Sequence, residues 1–392
     1  STTEDNARII KNLSLNVEVL SLLNQRTNKF MLSDLDYKIQ NLNKLSNDDT
    51  LSPAEKASVA INKFGKLGDA IVVTPSNICD DMVSLIPDET YTELSQTNAK
   101  VLDIAGTAGE YAVALYKKMC ALGVPEYVVK NSIYTIPKSS VCYELTRKLY
   151  EMLGLNVANI AKEFMATDLL EVKNGNNVDY DKITALLTQN KPFDTIKLTD
   201  TLTEGENDMI KFEAVVGNPP YQENIGSFEN QSLSKQLFPH FIKLAIKLNT
   251  NFASLITPSR WFTGNAQDRS FVNLRQFLQN HLHFSKMVNY LNAKDIFGEI
   301  DLPGGVNFFL YEPDYKGDIA FTEISGDKQS FSKRPLFEDG LDIVLPLNKM
   351  VSILQKVKTS SFESFESIVT GRNPFGIPAN DSDLEPLLSD VK

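Results

Sequence analysis

Short apolar runs alternate with amphipathic helical stretches through the middle of the chain, and this alternation constrains the fold more than any other feature. The four clearest runs are Val101–Ile104, Ser132–Ile136, Ala214–Gly217 and Ala253–Thr257. Such runs separated by helices are typical of βαβ units, in which consecutive strands lie parallel and helices cover the sheet. The sequence therefore predicts an α/β fold with a doubly wound, mostly parallel sheet.

The length of the chain predicts more than one domain. It has 392 residues, whereas a single core usually stops growing at roughly 250–300 residues. Residues 1–66 predict a helical N-terminal module, because glycine is absent before Gly65 and Ser52-Pro53 is a typical helix start. Residues 67–315 contain the alternating pattern. From 316 to 392 the pattern is mixed, with glycine and proline concentrated at 371–376, which predicts the start of a further module.

Charge and hydropathy exclude several functional classes. The 39 Lys and Arg against 50 Asp and Glu leave a net charge of −11, which argues against an extended nucleic-acid-binding surface but permits a local basic cleft. The longest apolar runs, such as Phe252–Ile256, are too short to cross a bilayer. Residues 1–6 are polar and acidic, unlike a secretory signal. We therefore expect a soluble chain with no membrane partner.

The three cysteines, Cys79, Cys120 and Cys142, predict neither a metal site nor a disulfide framework. They form no CxxC pair, and no histidine lies at metal-ligand spacing. Sparse, unpaired cysteines fit a reducing compartment. We expect all three to be buried as small apolar side chains.

A turn rich in small residues follows the first predicted strand. Asp103 lies near the end of this strand, and Ala105, Gly106 and Gly109 lead into a helix. The glycines permit a tight turn and the close approach of a ligand to the backbone. In an open α/β sheet this is the place for a nucleoside cofactor. The chain contains neither GxGxxG nor GxxxxGK[ST], which disfavours a dinucleotide site and a triphosphate loop.

The tetrapeptide Asn218-Pro219-Pro220-Tyr221 directly follows the third run. Consecutive prolines stiffen the backbone and remove two N–H donors. The Asn218 side-chain oxygen and the Pro219 carbonyl together make two acceptors that suit the two hydrogens of an amino group. Tyr221 adds an aromatic face on which a base can stack. The tetrapeptide therefore predicts chemistry on an exocyclic amino group.

With this signature and the turn at Asp103, residues 67–315 resemble S-adenosylmethionine-dependent methyltransferases that act on the adenine amino group of DNA in restriction-modification systems. The resemblance implies a Rossmann-like sheet, catalysis by Asn218 to Tyr221, and cofactor binding by the turn Asp103 to Gly109. It further implies that Thr74 and Pro75 contact the methionine end of the cofactor and that Asp168 accepts from its adenine amino group.

The same resemblance implies the biological setting. The substrate would be double-stranded DNA with a flipped adenine, and residues 316–392 would begin a target-recognition domain. A nuclease or specificity subunit or domain is a possible partner, and the enzyme would be cytoplasmic in a bacterial or archaeal cell. The chain departs from the family at the second strand, where Tyr134–Pro137 provides no acid for the cofactor ribose and Glu144 lies further on.

Several alternatives stay open. RNA adenine, the cytosine amino group and protein glutamine present the same pair of hydrogens to the tetrapeptide. Asp168 with Glu171-Val172-Lys173 imitates a nuclease pattern, and a non-catalytic fragment of a larger restriction enzyme is a further alternative. Methylation at cytosine carbon 5 is disfavoured, because it needs a cysteine nucleophile, usually after proline, and no cysteine here follows one.

Overall fold

The computed structural model describes residues 3–30, 48–64, 66–68, 71–200, 209–224, 234–298, 300 and 302–358, with isolated positions between 33 and 44. The chain divides into two units, Ser1–Asn348 and Lys349–Lys392. The α-helices of the described part are α1 Thr3–Asn12, α2 Val17–Arg26, α3 Pro53–Phe64, α4 Ser76–Leu85, α5 Asp88–Thr92, α6 Leu94–Thr97, α7 Glu110–Ala121, α8 Glu126–Ser132, α9 Ser140–Leu153, α10 Tyr180–Leu187, α11 Phe238–Lys247, α12 Ser270–Gln279, α13 Lys294–Phe297 and α14 Asn348–Val357.

One eight-stranded sheet organises the first unit. The strands are β1 Lys66–Gly68, β2 Ile71–Val72, β3 Lys100–Gly106, β4 Ile133–Pro137, β5 Lys173–Asn174, β6 Asn177–Val178, β7 Phe212–Gly217, β8 Gln222–Asn224, β9 Ser234–Gln236, β10 Phe252–Pro258, β11 Phe284–Tyr290, β12 Val306–Tyr311, β13 Ile319–Ser325 and β14 Lys328–Arg334. Their order in the large sheet is β14-β13-β11-β12-β10-β7-β3-β4. The pairs β1-β2, β5-β6 and β8-β9 form small ribbons.

The half of the sheet that carries the sequence motifs is parallel. Strands β4, β3, β7 and β10 pair in parallel, whereas β12 inserts antiparallel between β10 and β11. Each of the four predicted runs lies in one of these parallel strands, apart from Ser132, which ends helix α8, so the predicted fold class is confirmed. The carboxyl ends of β3 and β7 therefore lie side by side at one edge of the sheet, which is where ligands bind in such folds.

The central strands are buried on both faces, as parallel strands require. Along β7, Phe212 and Val215 belong to one hydrophobic cluster, while Ala214 and Val216 belong to the other. Helices α10, α11 and α12 supply the first cluster, and helices α4, α7, α8 and α9 supply the second. Full burial of a side chain such as Phe212 stabilises the fold by about 1.5–3 kcal/mol relative to an exposed ring. The two cores hold the strand ends, and with them the site, in place.

The predicted helix start at Ser52-Pro53 is confirmed. Helix α3 begins at Pro53, the Ser52 hydroxyl accepts from the Glu55 N–H at 3.3 Å, and Glu55 in turn accepts from the Ser52 N–H at 2.8 Å. This reciprocal pair is a capping box, which satisfies two orphan donors at the helix end.

Other predictions have different outcomes. Cys79 and Cys142 are buried, but Cys120 is exposed near the end of α7, so the expectation of three buried thiols was wrong. The domain boundaries at 66/67 and 315/316 stay predictions. Strands β13 and β14, which follow residue 316, extend the same large sheet, and residues 359–392 lie outside the described part of the chain. No helix in the described ranges is long and apolar enough to span a membrane.

Candidate active site

The cofactor turn lies between β3 and α7. Strand β3 ends at Gly106, and Gly109 precedes α7 with a φ of +83°, a conformation that favours glycine. At Gly106 the requirement is space. A Cβ atom there would lie 2.5 Å from Thr135 Cγ2 and 2.7 Å from Asp103 Oδ2. The turn is therefore a cradle that a larger residue would fill.

Asp103 lies in this cradle with one oxygen unsatisfied. The residue is fully buried, and its Oδ1 accepts from the Ala105 N–H at 3.3 Å while Oδ2 has no partner among the described residues. Burial raises the pKa of Asp103 well above its usual range, and the nearby Glu110 raises it further. A buried carboxylate oxygen without a donor is costly, so this atom suits a hydrogen-bond donor of a bound ligand.

Glu110, the first residue of α7, has a place in the site that sequence reasoning missed. It is 3% exposed. Its Oε2 accepts from the Ala108 N–H at 2.7 Å, and its Oε1 accepts from the Thr74 N–H at 3.4 Å. Glu110 thereby joins the cofactor turn to the segment before α4. An acidic residue directly after the second glycine of the turn was the available signal, because carboxylates are favourable at helix N-termini.

Thr74 connects the cofactor turn to the catalytic signature. Its fully buried hydroxyl accepts from Asn218 Nδ2 at 3.2 Å and from the Tyr111 hydroxyl at 3.4 Å. Pro75 precedes α4, and its carbonyl accepts from the first-turn N–H of Ile78 at 3.0 Å. The structure therefore places Thr74 against Asn218, 144 residues away in the chain.

Asn218 directly follows β7 and lies at the site with a free acceptor. The residue is 2% exposed and its Nδ2 donates to Thr74, whereas its Oδ1 is buried with no partner in the part of the chain that the structure describes. Asn218, Pro219, Pro220 and Tyr221 all line a cavity of about 240 Å³. The four predicted catalytic residues are thus together, with the unsatisfied amide oxygen among them.

Tyr221, the last residue of the signature, and Arg260 both line this cavity. The Tyr221 ring packs edge-on against Phe238, with ring centroids 6.4 Å apart, and its hydroxyl has no hydrogen-bond partner within the described ranges. Burial raises the pKa of Tyr221, opposed by the positive charge of Arg260. Arg260 is half-buried and donates to Gln222 Oε1 at 3.1 Å and to Gln236 Oε1. Arg260 is therefore held by the β8–β9 ribbon.

Asp168 is the predicted site residue that the structure does not bring into contact with the others. It lies exposed in the 3₁₀ helix Ala166–Glu171, where its Oδ2 accepts from the Met165 N–H at 2.8 Å. It is not among the described residues that line the cavity. Its predicted role toward the cofactor adenine stays a prediction.

Two further residues named from the sequence have structural partners. Glu144 accepts from Arg8 and from Asn12 Nδ2 of helix α1, so it is engaged away from the turn. Trp261 is 1% exposed and packs edge-on against Phe262 at 4.8 Å between ring centroids. Glu144 is therefore engaged by helix α1, and Trp261 belongs to the core.

The nuclease pattern does not assemble into a cluster. Asp168, Glu171 and Lys173 are all exposed. Within the described ranges, no three or more His, Cys, Asp or Glu side chains are grouped so that they could hold a metal ion.

The residues at the turn fit S-adenosylmethionine. The unsatisfied Asp103 Oδ2 suits a donor on the cofactor, and the space at Gly106 admits close approach to the backbone. The cavity at Asn218 lies beside this cradle, since Gly217 of β7 lies next to Asp103: a Cβ atom added at Gly217 would lie 3.3 Å from Asp103 Oδ1. The glycine cradle and the cavity at Asn218 are therefore adjacent, an arrangement that a direct group transfer requires.

Comparison with known proteins gives matches in sequence and in structure. A family model described as Eco57I restriction-modification methylase matches residues 131–297. An uncharacterized adenine-specific methylase of Mycoplasma pneumoniae is 25% identical, over 82% of this chain and 88% of that protein.

Two solved structures resemble parts of the chain. The methyltransferase subunit of a type I restriction-modification system from Streptococcus thermophilus gives a TM-score of 0.42 at 11% identity, over 78% of this chain and 56% of that chain. The ATP-dependent Type ISP restriction-modification enzyme LlaBIII bound to DNA gives 0.43 at 13% identity, over 71% and 22%. The chain thus spans about half or less of these two solved chains. The chain is therefore similar to Eco57I restriction-modification methylases over residues 131–297, and to an adenine-specific methylase over most of its length.

Proposed function

We propose that the chain transfers a methyl group from S-adenosylmethionine to the exocyclic amino group of adenine in a specific DNA sequence, as the modification activity of a restriction-modification system. The observation that supports this proposal most directly is the hydrogen bonding of the Asn218 amide. Its nitrogen donates to Thr74, and its buried oxygen is an acceptor with no donor among the residues that the structure describes. An adenine amino group offers the hydrogen that this oxygen lacks.

The chain's own residues provide positioning and electrostatics. Asn218 Oδ1 and the Pro219 carbonyl accept the two amino hydrogens, which directs the nitrogen lone pair away from both acceptors. Tyr221 supplies the aromatic surface of the cavity for a base that has left the helix stack. The cofactor, when bound, supplies an electrophilic methyl group on a sulfonium. With Asn218 and Pro219 holding the amino nitrogen toward that methyl group, no nucleophilic side chain would be needed, and catalysis would come from orientation and fixed dipoles.

The geometry of Thr74 supports a common cavity for cofactor and base. One buried hydroxyl contacts the catalytic amide, and the same residue's N–H contacts Glu110 at the cofactor turn. A ligand in the turn and a base at Asn218 would therefore share a rigid wall. Such pre-organisation is what orients two reactants for a direct transfer.

The test is methyl transfer by the full 392-residue chain to plasmid DNA from a host that lacks adenine methylation. DNA hydrolysed to nucleosides and analysed by mass spectrometry is expected to contain N6-methyldeoxyadenosine, and sequencing of the methylated plasmid gives the recognised sequence. Asn218→Ala is expected to abolish transfer while retaining cofactor binding, and Asp103→Ala to lose cofactor binding. Asn280→Ala, at an exposed helix end, is the matched control.

Parallel reactions separate the alternatives. Methylation of RNA, of a glutamine-containing peptide, or of the cytosine amino group in the same plasmid would each replace the proposed substrate. If the wild-type chain neither binds S-adenosylmethionine nor transfers methyl groups, the proposal is wrong and a non-catalytic role remains.

A further inference from the structure

Lys138 occupies the end of the strand next to the cofactor turn. It follows β4 directly, and β4 pairs in parallel with β3 so that Pro137 lies opposite Gly106. The Lys138 N–H donates to the Gly106 carbonyl at 3.0 Å. The backbone of Lys138 is therefore fixed against the glycine cradle.

The Lys138 side chain points toward the cavity of the catalytic signature. It is half-buried and lines the same cavity as Asn218 and Tyr221. Within the part of the chain that the structure describes, its ammonium forms no side-chain hydrogen bond or ion pair. Burial lowers the pKa of Lys138, opposed chiefly by the charge of Glu110 and, more weakly, by that of Asp103. A desolvated ammonium has three N–H donors, and leaving them without acceptors is costly. Among the described residues, no oxygen acceptor contacts the Lys138 ammonium.

The position of Lys138 indicates which oxygen atoms of a nucleoside cofactor it would contact. In nucleotide-binding α/β folds, the side chain that follows the strand adjacent to the glycine turn contacts the ribose hydroxyls. An acid is the usual partner there, but Tyr134–Pro137 contains none and Glu144 is held by helix α1.

We infer that Lys138 binds the ribose of the cofactor by donating hydrogen bonds to its 2′- and 3′-hydroxyl oxygens, in place of a carboxylate. This inference rests on the proposed function, because it takes the cofactor to be S-adenosylmethionine. The polarity of the contact is reversed relative to an acid: the ammonium donates to the hydroxyl oxygens, whereas a carboxylate accepts from the hydroxyl hydrogens. A hydroxyl can do either.

Calorimetric titration tests the inference without relying on turnover. S-adenosylhomocysteine and its 2′-deoxy and 3′-deoxy analogues are titrated into the wild-type chain, Lys138→Met and Lys138→Arg. A hydrogen bond to a charged group contributes about 1.5–3 kcal/mol, so Lys138→Met is expected to weaken S-adenosylhomocysteine about 10- to 100-fold. Lys138→Arg retains donors and is expected to recover most of that loss.

The deoxy analogues identify the contacted atoms. Removal of a ribose hydroxyl should weaken binding to wild type and to Lys148→Met, but should have little effect in Lys138→Met, where the donor is already absent. Lys148 is an exposed lysine on α9, the helix that follows β4, and serves as the matched control. Non-additivity of this kind is the signature of a direct contact.

Three outcomes would overturn the inference. If Lys138→Met weakens the binding of the parent ligand and of both deoxy analogues by the same factor, the lysine does not contact the ribose. If Lys138→Met does not weaken 5′-methylthioadenosine, which lacks the amino acid, the partner is the methionine carboxylate instead. Both outcomes leave the proposed function intact, whereas absence of S-adenosylhomocysteine binding by wild type overturns the proposed function together with the inference.

Discussion

Replacement of Thr74 by valine tests whether the buried hydroxyl of Thr74 fixes the orientation of the Asn218 amide. Valine keeps the shape of threonine and the backbone N–H that contacts Glu110, but removes the acceptor of Asn218 Nδ2 and the Tyr111 hydroxyl. A buried donor left unsatisfied costs about 1–3 kcal/mol. The Tyr111 hydroxyl keeps Met82 Sδ as an acceptor at 3.3 Å, and the Asn218 contact is long, at 3.2 Å. We therefore expect the free energy of unfolding to fall by about 1–2 kcal/mol.

The effect of Thr74→Val on methyl transfer should exceed its effect on cofactor binding. Without its acceptor, the Asn218 amide loses its fixed orientation, and a misplaced catalytic group costs on the order of 100-fold in rate. We expect the single-turnover rate of DNA methylation to fall about 10- to 100-fold. Affinity for S-adenosylmethionine should stay within about threefold, since the Thr74 N–H and Asp103 are unchanged.

Urea unfolding and single-turnover methylation measure the two effects. Trp261 is the only tryptophan and is 1% exposed, so its fluorescence reports unfolding. Thr74→Ser keeps the hydroxyl and is the matched control. In an Asn218→Ala background, Thr74→Val should cost less stability because one donor is already gone. A Thr74→Val enzyme with wild-type transfer rate, or an equal loss in Thr74→Ser, would refute the reasoning.

Three further predictions concern the turn, a half-buried histidine and a buried arginine. Gly106→Ala should lower the free energy of unfolding by about 1–3 kcal/mol through overpacking. It should also weaken S-adenosylmethionine binding, because the new Cβ would displace Asp103. Adding Thr135→Ser, which removes the methyl carbon 2.5 Å away, should restore part of the stability in urea unfolding but not the binding. The pKa of His240 is lowered from 6.5 to about 4 by burial and by Lys243, so the unfolded chain binds more protons between these values. Urea unfolding should therefore show stability falling as pH drops from 6.5 to 4, by up to about 3 kcal/mol, and a His240→Gln variant with the same pH profile as wild type would contradict this. Arg275→Met removes donors to the Trp261 and Gly264 carbonyls at 2.9 and 2.8 Å and should cost about 2–4 kcal/mol, whereas an unchanged urea midpoint would show that the carbonyls find other partners.

Local pattern was sufficient to predict the strands that carry the site. The runs around Asp103 and before Asn218 are short, apolar and followed by turn residues, and each forms a parallel strand. A strand's own side chains set this tendency, because burial on both faces selects continuous apolar runs. The order in which the strands pair is not determined by local pattern. The antiparallel insertion of β12 between β10 and β11 depends on contacts between distant segments, and no local pattern announced it.

The sequence by itself determined the chemistry available to this protein: an amide, two prolines and a tyrosine after one strand, and an acid with two glycines after another. Only the tertiary structure decided which atoms remain free to act. Thr74 binds one end of the Asn218 amide and leaves the other unsatisfied, and helix α1 holds Glu144 while Lys138 faces the cavity. The physical reason is that hydrogen-bond satisfaction depends on neighbours in space, and here those neighbours lie more than a hundred residues apart in the chain.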